Sequence, residues 1–420
     1  MLDKQLYIDD LAKLISKKSV QGAPRENAPF GAEVKAALDL FLEIGARMGF
    51  TAVNHDNHIG ELTCGEGEEF GIIGHLDVVP AGDGWHTDPY TLTLKDGKYY
   101  GRGTTDDKGP TLLCLYALKE LKDGGAKFNK KVRFFVGCNE ESGWADVEHY
   151  KKNGGTFPKW GFSPDGDFPV VYAEKGPNRV VFHLPYAGKF KNLSGGTVVN
   201  AVCAYACANG PTDPALLQKH GLKATGDKIE SFGKSAHGSM PELGKNAILP
   251  LLRYMADCGE NVGALIDIFE DKAGITAQGN ETGMATISPA LVSQTDGEIV
   301  LTADFRVPAR MKAEDFFPIF DKMNVKYEFF KNRDPLYVPK DSETVQKLMK
   351  AYNEATGQNL RPISQRGATF ASVFECGTAF GPEFPGEESS IHQPDEFIKD
   401  SDIDLMYDIY FKGIKAVTTE

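Results

Sequence analysis

The sequence predicts a mixed α/β protein with two domains, one inserted into the other. The chain has 420 residues, which is too long for one small core. Short apolar runs alternate with helical patterns in its N-terminal half, as in a mostly parallel sheet flanked by helices. A segment rich in turns and strands follows, and then the first pattern returns. We therefore expect an α/β domain over 1–176 and 334–420, with an inserted α+β domain over 177–333.

Each element of the first domain has a local signature. EFGIIGHLD and KVRFFVGCNEES predict buried strands, because their apolar runs are short and continuous. TLLCLYALKELKDGG predicts a helix, with Pro110 near its start and Gly124 after its end. Beyond the insertion, DSETVQKLMKAYNEATGQ predicts another helix, with Asp341 or Ser342 as its N-cap and Gly357 past its end.

The inserted domain has a different pattern. PVVYAEKGPNRVVFHLP predicts paired strands, and EIVLTADFRVP predicts a further strand. In DKIESFGKSAHGSMPELGKNAILPLLRYMADCG a strand and a loop precede a helix, because Ile248, Leu251, Leu252 and Met255 recur at helical spacing. Strands beside a helix fit a small α+β unit.

Charge and cysteine content exclude several classes of protein. The formal net charge is −13 and no Lys/Arg tract is present, so we expect no nucleic-acid partner. No apolar run is long enough to span a bilayer, and MLDKQLYIDDLAKLISKK lacks the pattern of a signal peptide. The seven Cys residues are scattered through apolar segments, which predicts reduced thiols and a cytoplasmic location. A zinc site at Cys203 and Cys207 would need a second Cys/His pair nearby, and none is evident.

The stretch GIIGHLDVVPAG, residues 71 to 82, ends an apolar run at a histidine. A lone His at such a position is more often a packed core residue than a ligand. His75 and Asp77 are two residues apart, so in a strand they share one face. Asp77 can therefore hold the second imidazole nitrogen of His75, as carboxylates do beside metal-binding histidines.

Three acidic pairs also follow apolar strands. Each pair alone is typical of a solvated turn. Together they indicate a cation site, because ligands gather outside the carboxyl ends of strands in one sheet, and adjacent carboxylates repel unless a cation compensates them. The pairs are Asp106 and Asp107, Glu140 and Glu141, and Asp165 and Asp167.

These motifs resemble the M20 family of co-catalytic metallopeptidases, and within it the PepV-type dipeptidases. The resemblance runs from about residue 70 to about residue 400, in family order, and it implies a catalytic domain with an inserted, ferredoxin-like lid domain. The matching stretches are GHLDVVPAGDGWHTDPY, GRGTTDDKGP, NEESG, SPDGDFPVVYAEKG, SAHGSMPELGKNA, ADFRVP and FGPEFPGEESSIHQPDEF.

The resemblance implies a site for two divalent metal ions. It favours Zn²⁺, with Mn²⁺ or Co²⁺ as alternatives, and imidazole and carboxylate ligands without thiolate suit all three. Asp106 would bridge the two metals, with a cis peptide bond joining it to Asp107. The implied ligands are His75, Asp106, Glu141, Asp165 and His392.

The same resemblance makes Glu140 the general base and Asp77 the residue that orients His75. The three carboxylate ligands carry three negative charges and two divalent ions carry four positive charges, so one bridging hydroxide would bring the cluster near neutrality. The metals would lower the pKa of that water and polarise the scissile carbonyl. Glu140 would take the water's proton and pass it to the leaving amine, which hydrolyses a peptide-like amide.

Further residues match substrate-contacting positions of the family. His237 in SAHGSMP matches the lid histidine that stabilises the oxyanion, and Arg306 in ADFRVP matches a lid arginine that grips the substrate carboxylate. Asn200 in TVVNAV and Gly367 in RGATFAS match positions near the substrate. Without a functional role, His237 would be a solvated side chain of a glycine-rich loop, and Arg306 would form a surface ion pair.

The stretch RGATFAS departs from the family's usual GGTYAR. Arg366 replaces a glycine, and Ser372 stands where an arginine is usual. That loop borders the C-terminal side of the substrate in the family. We therefore expect recognition of the C-terminal residue to differ from that of the relatives.

The resemblance implies a dipeptidase acting on short peptides with a free amino terminus, as a monomer or homodimer. Asp165 supports this, because an Asp at this ligand accompanies amino- or dipeptidase action in the family. An N-acyl-amino-acid amidohydrolase, such as a desuccinylase or deacetylase, is the alternative enzyme. A catalytically silent binding homologue is disfavoured, since every expected ligand and the base are present.

Overall fold

The computed structural model describes residues 1–295 and 297–419. Within them the chain forms two compact units. The first unit comprises Met1–Ala173, Tyr337–Gln365 and the chain from Thr369 onward, and the inserted unit comprises Glu174–Leu336 with Arg366–Ala368. The insertion thus spans 174–336, where the sequence predicted 177–333.

The described chain contains α-helices, short 3₁₀ turns and β-strands, with several runs of consecutive strands. The α-helices are α1 (Lys4–Ile15), α2 (Ala32–Arg47), α3 (Lys108–Asp123), α4 (Ala145–Lys152), α5 (Pro214–His220), α6 (Ile248–Asp257), α7 (Gly263–Phe269), α8 (Phe317–Phe320), α9 (Glu343–Thr356) and α10 (Asp400–Thr418). Short 3₁₀ turns span Pro241–Leu243, Ala313–Phe316 and Phe370–Val373. The strands are β1 (Thr51–His55), β2 (Ile59–Cys64), β3 (Glu68–His75), β4 (Thr93–Lys95), β5 (Lys98–Tyr100), β6 (Lys130–Gly137), β7 (Trp160–Ser163), β8 (Val171–Glu174), β9 (Gly176–Pro185), β10 (Lys191–Gly195), β11 (Tyr205–Asn209), β12 (Lys223–Thr225), β13 (Lys228–Phe232), β14 (Gly279–Asn280), β15 (Gly283–Met284), β16 (Thr286–Thr295), β17 (Glu298–Val307), β18 (Lys326–Lys331), β19 (Leu336–Tyr337), β20 (Ile363–Gln365), β21 (Cys376–Ala379) and β22 (Phe397–Lys399).

The main sheet of the first unit has a parallel centre and antiparallel edges. Its order is β1-β2-β6-β3-β7-β21-β8-β19, with β20 beside β8. β3 pairs in parallel with β6 and β7, and β21 pairs in parallel with β7. β1, β2 and β8 pair antiparallel to their neighbours. The predicted mixed α/β class is confirmed, and these parallel pairs involve the four central strands.

The centre of this sheet is buried because its apolar runs are continuous. Ile72 and Ile73 of β3 and Phe134 and Phe135 of β6 are fully buried. Helix α3 contacts β3, α1 and α10. It begins just before Pro110 and ends at the Gly124 cap, as its sequence predicts.

The inserted unit is built on an antiparallel sheet. Its order is β12-β13-β11-β10-β16-β17-β9-β18, which is wider than a ferredoxin-like βαββαβ unit. Alternate residues of β9 and β17 pack with the apolar faces of α6 and α7 in one core. The four residues at helical spacing in α6 are all fully buried there, namely Ile248, Leu251, Leu252 and Met255.

One strand prediction is wrong. PVVYAEKGPNRVVFHLP contains β8 and β9, but the two strands do not pair with each other. β8 joins the main sheet beside β21, whereas β9 pairs with β17 and β18 in the inserted unit. Both strands are rich in Val and aromatic residues, so their composition does not distinguish a hairpin from a crossing between two sheets.

All seven Cys residues are free thiols, and three of them, Cys114, Cys138 and Cys203, are buried. Within residues 1–295 and 297–419, no helix has both the length and the apolar character required to cross a membrane.

Candidate metal centre

Two imidazoles flank one carboxylate in the first unit. His75 Nε2 lies 2.9 Å from Asp106 Oδ1, and His392 Nε2 lies 2.9 Å from Asp106 Oδ2. Glu141 Oε1 is 2.9 Å from His392 Nε2, and Asp165 Oδ2 is 3.7 Å from His75 Nε2. The two oxygens of Asp106 therefore face different histidines, each of which has a second carboxylate beside it.

Strand ends bring most of these groups together. His75 is the last residue of β3, and β3 lies between β6 and β7 in the sheet. Glu141 follows β6 and Asp165 follows β7. Because the three strands are parallel, their carboxyl ends meet at one edge.

Asp106 reaches the cluster by a different route. From the sequence we expect Asp106 to follow a strand of the same sheet, and this prediction is wrong. The strand before it, β5, belongs to a separate three-stranded sheet with β4 and β22. Asp106 instead directly precedes Asp107, the N-cap of α3, and a cis peptide bond joins the two residues.

Asp77 contacts the centre differently from what its spacing suggested. His75 Nδ1 lies 2.9 Å from the backbone carbonyl of Asp77 and 3.5 Å from its carboxylate. The Asp77 carboxylate accepts the backbone N–H groups of Glu140 (3.0 Å) and Glu141 (3.1 Å). Asp77 therefore orients His75 mainly through its carbonyl, while its side chain fixes the segment that carries both glutamates.

Glu140 lies at the edge of the cluster. Glu140, His75 and Asp165 could bind one metal ion together, because one potential ligand atom from each lies within 4.8 Å of the others. Its Oε1 accepts the indole N–H of Trp144 at 3.0 Å. The loop that carries Glu140 is fixed in turn by Asp146, whose carboxylate accepts the backbone N–H groups of Cys138 (2.7 Å) and Asn139 (2.9 Å).

A buried glutamate supports the loop that carries Asp106. Oε1 of Glu396 accepts three backbone N–H groups, from Gly103 (3.1 Å), Thr105 (2.9 Å) and Asp106 (3.1 Å). Its Oε2 accepts Nη1 of Arg102 at 2.7 Å, and both side chains are almost fully buried. Because Glu396 lies four residues after His392, one segment both contributes an imidazole and fixes the carboxylate facing it.

Burial and neighbouring charges shift the pKa values of the cluster's side chains. Burial, followed by the charge of Asp106, raises the pKa of Glu141 to about 7 and that of Asp165 well above its usual range. Burial opposes protonation of His392, but Glu141 and Asp106 outweigh it and raise its pKa to about 11. For Asp106, the contacts with His392 and His75 outweigh burial and lower its pKa.

This environment fits divalent cations. Three carboxylates and two imidazoles converge without a thiolate, which is the donor set that Zn²⁺, Mn²⁺ and Co²⁺ share. Two overlapping groups of potential ligand atoms are present, one with His75, Asp106 and Glu141 and one with His75, Glu140 and Asp165. The residues present therefore fit a divalent metal ion, and the two groups have His75 in common.

The inserted unit brings three of the predicted substrate residues together. Gly238 donates its N–H to the carbonyl of Asn200 at 2.7 Å. The backbones of His237 and Ala201 form an isolated antiparallel β-bridge. His237 Nδ1 lies 2.6 Å from the Ser239 hydroxyl. A Cβ atom at Gly238 would lie 2.4 Å from Asp304 Oδ2, so this loop packs closely on the strand that carries Arg306.

Arg306 is already paired. Its Nε and Nη2 donate to the two carboxylate oxygens of Asp304, each at 2.9 Å, and both residues are buried. One edge of the guanidinium, formed by Nε and Nη2, is therefore occupied by Asp304 within the chain. Gly367 lies in the 366–368 stretch of the inserted unit, where Arg366 pairs with Glu242. Ser372 belongs to the first unit, and its hydroxyl donates to the Thr369 carbonyl at 3.1 Å.

Comparison with known proteins decides the family. Residues 71–416 match the peptidase family M20/M25/M40. The chain belongs to this family. It is 34% identical to the YtjP protein of Bacillus subtilis (strain 168), over 92% of this chain and 91% of the relative. It is 30% identical to the Beta-Ala-Xaa dipeptidase of Lactobacillus delbrueckii subsp. lactis, over 99% of this chain and 97% of the relative.

A solved structure extends the comparison to the fold of this M20 peptidase. Human carnosine dipeptidase 1 superposes with a TM-score of 0.60 at 15% identity, covering 98% of this chain and 96% of that one. At this identity the likeness concerns the fold alone.

Several supporting residues could not be recognised from the sequence. Glu396 lies within the quoted SSIHQPDEF stretch and Arg102 within GRGTTDD, but nothing in their spacing indicated that they pair. Trp144 lies four residues after Glu140, and a left-handed backbone (φ 66°) brings its indole back to that carboxylate. A tryptophan just before an acidic helix start is the only local signal for this contact.

Proposed function

We propose that this M20 peptidase is a metal-dependent dipeptidase that hydrolyses dipeptides with a free amino terminus. The observation that carries the proposal is the Asp106 carboxylate between His75 and His392, with Glu140 beside it. Dipeptidase activity in a full-length relative supports the substrate class.

We propose that His75, Asp106, Glu141, Asp165 and His392 hold two divalent ions, with Asp106 between them. Zn²⁺ is the first metal to test, and Mn²⁺ and Co²⁺ are the alternatives. When bound, such ions supply Lewis acidity toward the scissile carbonyl and lower the pKa of the attacking water.

The remaining steps use residues of the chain. Glu140 accepts a proton at its carboxylate and returns it to the nitrogen of the leaving amine. The Trp144 indole N–H donates to Oε1 of Glu140 and so helps to orient the carboxylate that exchanges the proton. Asp77 keeps the backbone of Glu140 and Glu141 at a fixed distance from His75.

We further propose that residues of the inserted unit bind substrate. His237 would stabilise the developing oxyanion, and Asn200, Gly367 and the charge of Arg306 would contribute to binding. The free thiols are consistent with action in the cytoplasm.

A metal-reconstitution assay tests the proposal. Protein stripped by a chelator is reloaded with Zn²⁺, Mn²⁺ or Co²⁺ and assayed on dipeptides, tripeptides and N-acyl amino acids. We expect dipeptide hydrolysis that depends on added metal. Absence of dipeptide hydrolysis in protein carrying two equivalents of metal would refute the proposal, and faster turnover of N-acyl amino acids would replace it with an amidohydrolase.

The Glu140→Gln variant separates the base from the ligands. We expect kcat to fall by about 10² to 10⁴-fold while the metal content remains unchanged, because only proton transfer is removed. Glu148→Gln is the matched control, since Glu148 is an exposed residue of the neighbouring helix α4.

A further inference from the structure

A fully buried serine lies between the N-terminal helix and the stretch that follows His75. Ser19 comes shortly after α1, where the chain has no regular structure, and none of its surface is exposed. Serine is mostly an exposed residue, and a buried hydroxyl normally has a hydrogen-bond partner. The contacts of Ser19 therefore identify the part of the chain that it holds in place.

Ser19 makes two hydrogen bonds to residues 76–78. Its hydroxyl donates to the carbonyl of Leu76 at 2.6 Å, and its own carbonyl accepts the N–H of Val78 at 3.0 Å. Strand β3 ends at His75, so this stretch lies beyond the end of the strand. Ser19 therefore binds the residues on both sides of Asp77.

These two bonds restrain both peptide groups of Asp77. The Leu76 carbonyl belongs to the peptide group before Asp77, and the Val78 N–H belongs to the one after it. A peptide group is planar, so its N–H and its C=O turn together. In the second group, the N–H binds Ser19 while the Asp77 carbonyl lies 2.9 Å from His75 Nδ1. A rotation that breaks the bond to Ser19 would therefore also move the carbonyl away from the imidazole.

Asp77 extends the restraint to the segment that carries both glutamates. Its carboxylate accepts the backbone N–H groups of Glu140 (3.0 Å) and Glu141 (3.1 Å). The side chain and the carbonyl of Asp77 start from the same backbone atoms. A shift of that backbone would therefore displace His75, Glu140 and Glu141 together.

A buried lysine fixes the position of the serine. Lys108 has no exposed surface, and its Nζ donates to the carbonyls of Leu14 (3.0 Å) and Lys17 (2.9 Å). The N–H of Ser19 donates to the same Lys17 carbonyl at 2.8 Å. Lys108 is the first residue of α3, two residues after Asp106. The chain around Ser19 is thus tied to two segments that carry candidate metal ligands.

We propose that Ser19 is a positioning residue for the metal centre. Its hydroxyl and carbonyl hold the backbone of Asp77, and Asp77 in turn sets the positions of His75 and Glu141. The inference rests on the proposed function and deepens it, because it adds a support that lies outside the motifs resembling the family. Residues that orient metal ligands typically contribute about 10- to 100-fold in metal affinity.

The test measures the metal affinity of Ser19→Ala. The full-length protein is stripped of metal, and its affinity for Zn²⁺ is measured by competition with a chromophoric chelator. We expect Ser19→Ala to bind Zn²⁺ about tenfold more weakly than the wild type, at the lower end of the range for such supports. The visible absorption spectrum of the Co²⁺-loaded variant should also change, because the bands of Co²⁺ depend on the geometry of its ligands.

A control separates this effect from a general loss of stability. The hydroxyl of Ser16 also donates to a carbonyl, that of Lys13 at 2.7 Å, but at an exposed position. Ser16→Ala should leave the Zn²⁺ affinity and the Co²⁺ spectrum unchanged. A merely structural role for Ser19 predicts that Ser19→Ala lowers the urea midpoint of the metal-free protein while the folded protein binds Zn²⁺ as the wild type does. That result would overturn the proposal.

A matched pair of variants isolates the hydroxyl. Ser19→Thr and Ser19→Val introduce side chains of nearly the same shape, and only the first keeps a hydroxyl. Both variants are expected to lower the urea midpoint, since each adds a methyl group at a site without exposed surface. We expect Ser19→Thr to bind Zn²⁺ about tenfold more tightly than Ser19→Val. Equal affinities in the two variants would show that the hydroxyl has no positioning role.

The wild-type measurement distinguishes this inference from the proposed function. If the wild type binds none of Zn²⁺, Mn²⁺ or Co²⁺, the metal-dependent function itself fails. If the wild type binds Zn²⁺, and Ser19→Ala matches it in affinity and in the Co²⁺ spectrum, only the role of Ser19 is refuted.

Discussion

Removing the charge of Glu396 should weaken both the fold and the metal centre. In Glu396→Gln the neutral amide retains weaker contacts to the loop, but Arg102, which is 1% exposed, loses its counter-charge. Breaking one partner of a buried ion pair costs about 3–5 kcal/mol. Three backbone N–H groups also lose a charged acceptor, which holds hydrogen bonds about twice as strongly as a neutral one. We expect the free energy of unfolding to fall by about 3–5 kcal/mol.

The functional effect follows from the same contacts. Asp106 is one of the residues whose N–H binds Glu396, so a loosened loop misplaces the carboxylate between the two imidazoles. Supporting residues of metal sites typically contribute 10- to 100-fold in metal affinity. We expect a loss of about that size, measured by competition with a chromophoric chelator, together with urea unfolding of the metal-free protein.

Two variants make the measurement specific. Glu387→Gln removes an exposed carboxylate that pairs with Lys399, and its effect should stay below about 1 kcal/mol. Combining Arg102→Met with Glu396→Gln should cost less than the sum of the single changes, because the double variant leaves no unpaired charge. The reasoning is refuted if Glu396→Gln unfolds within about 1 kcal/mol of wild type and binds metal equally well.

Two further outcomes can be checked. Contacts with His55 and Arg133 outweigh burial and lower the pKa of Glu61 to about 2, below its ordinary value of 4.5. This stabilisation is therefore present above about pH 4.5 and is lost as the pH falls toward 2. Glu61→Gln should cost about 1–3 kcal/mol in urea unfolding at pH 7 and progressively less in acid, and a pH-independent difference would contradict this. Trp144→Phe keeps the aromatic packing but removes the N–H donor to Glu140, so kcat should fall about tenfold with little change in KM, and an unchanged kcat would exclude a role for this contact.

Sequence patterns predicted the fold where burial alone determines the structure. The strand ending at His75 and the helix beginning before Pro110 are visible because apolar periodicity and end signals agree. Pairing is a different property, since it depends on partners far away in the chain. For that reason the predicted pairing of β8 with β9 is wrong, and each strand joins a different sheet.

The candidate centre shows the same limit. Residue types and the family resemblance identified His75, Asp106, Glu141, Asp165 and His392, and these side chains lie together in the fold. Their supports could not be inferred, because the Glu396–Arg102 contact spans 294 residues and has no sequence periodicity. The pairing of Arg306 with Asp304 could not be inferred either, although the two residues are only two apart in one strand. A sequence gives the charges of side chains but not their conformations.

Because of the insertion, the candidate metal ligands are synthesised at different times. Four of the five candidate metal ligands lie within the first 165 residues, whereas His392 is translated 227 residues after Asp165 (392 minus 165). At about 5–20 residues per second, roughly 10–45 s of synthesis separate the two. During that interval the nascent first unit carries Asp106 without its second imidazole and without the support of Glu396. Metal capture by the complete ligand set therefore belongs to the end of translation, after the inserted unit has been made.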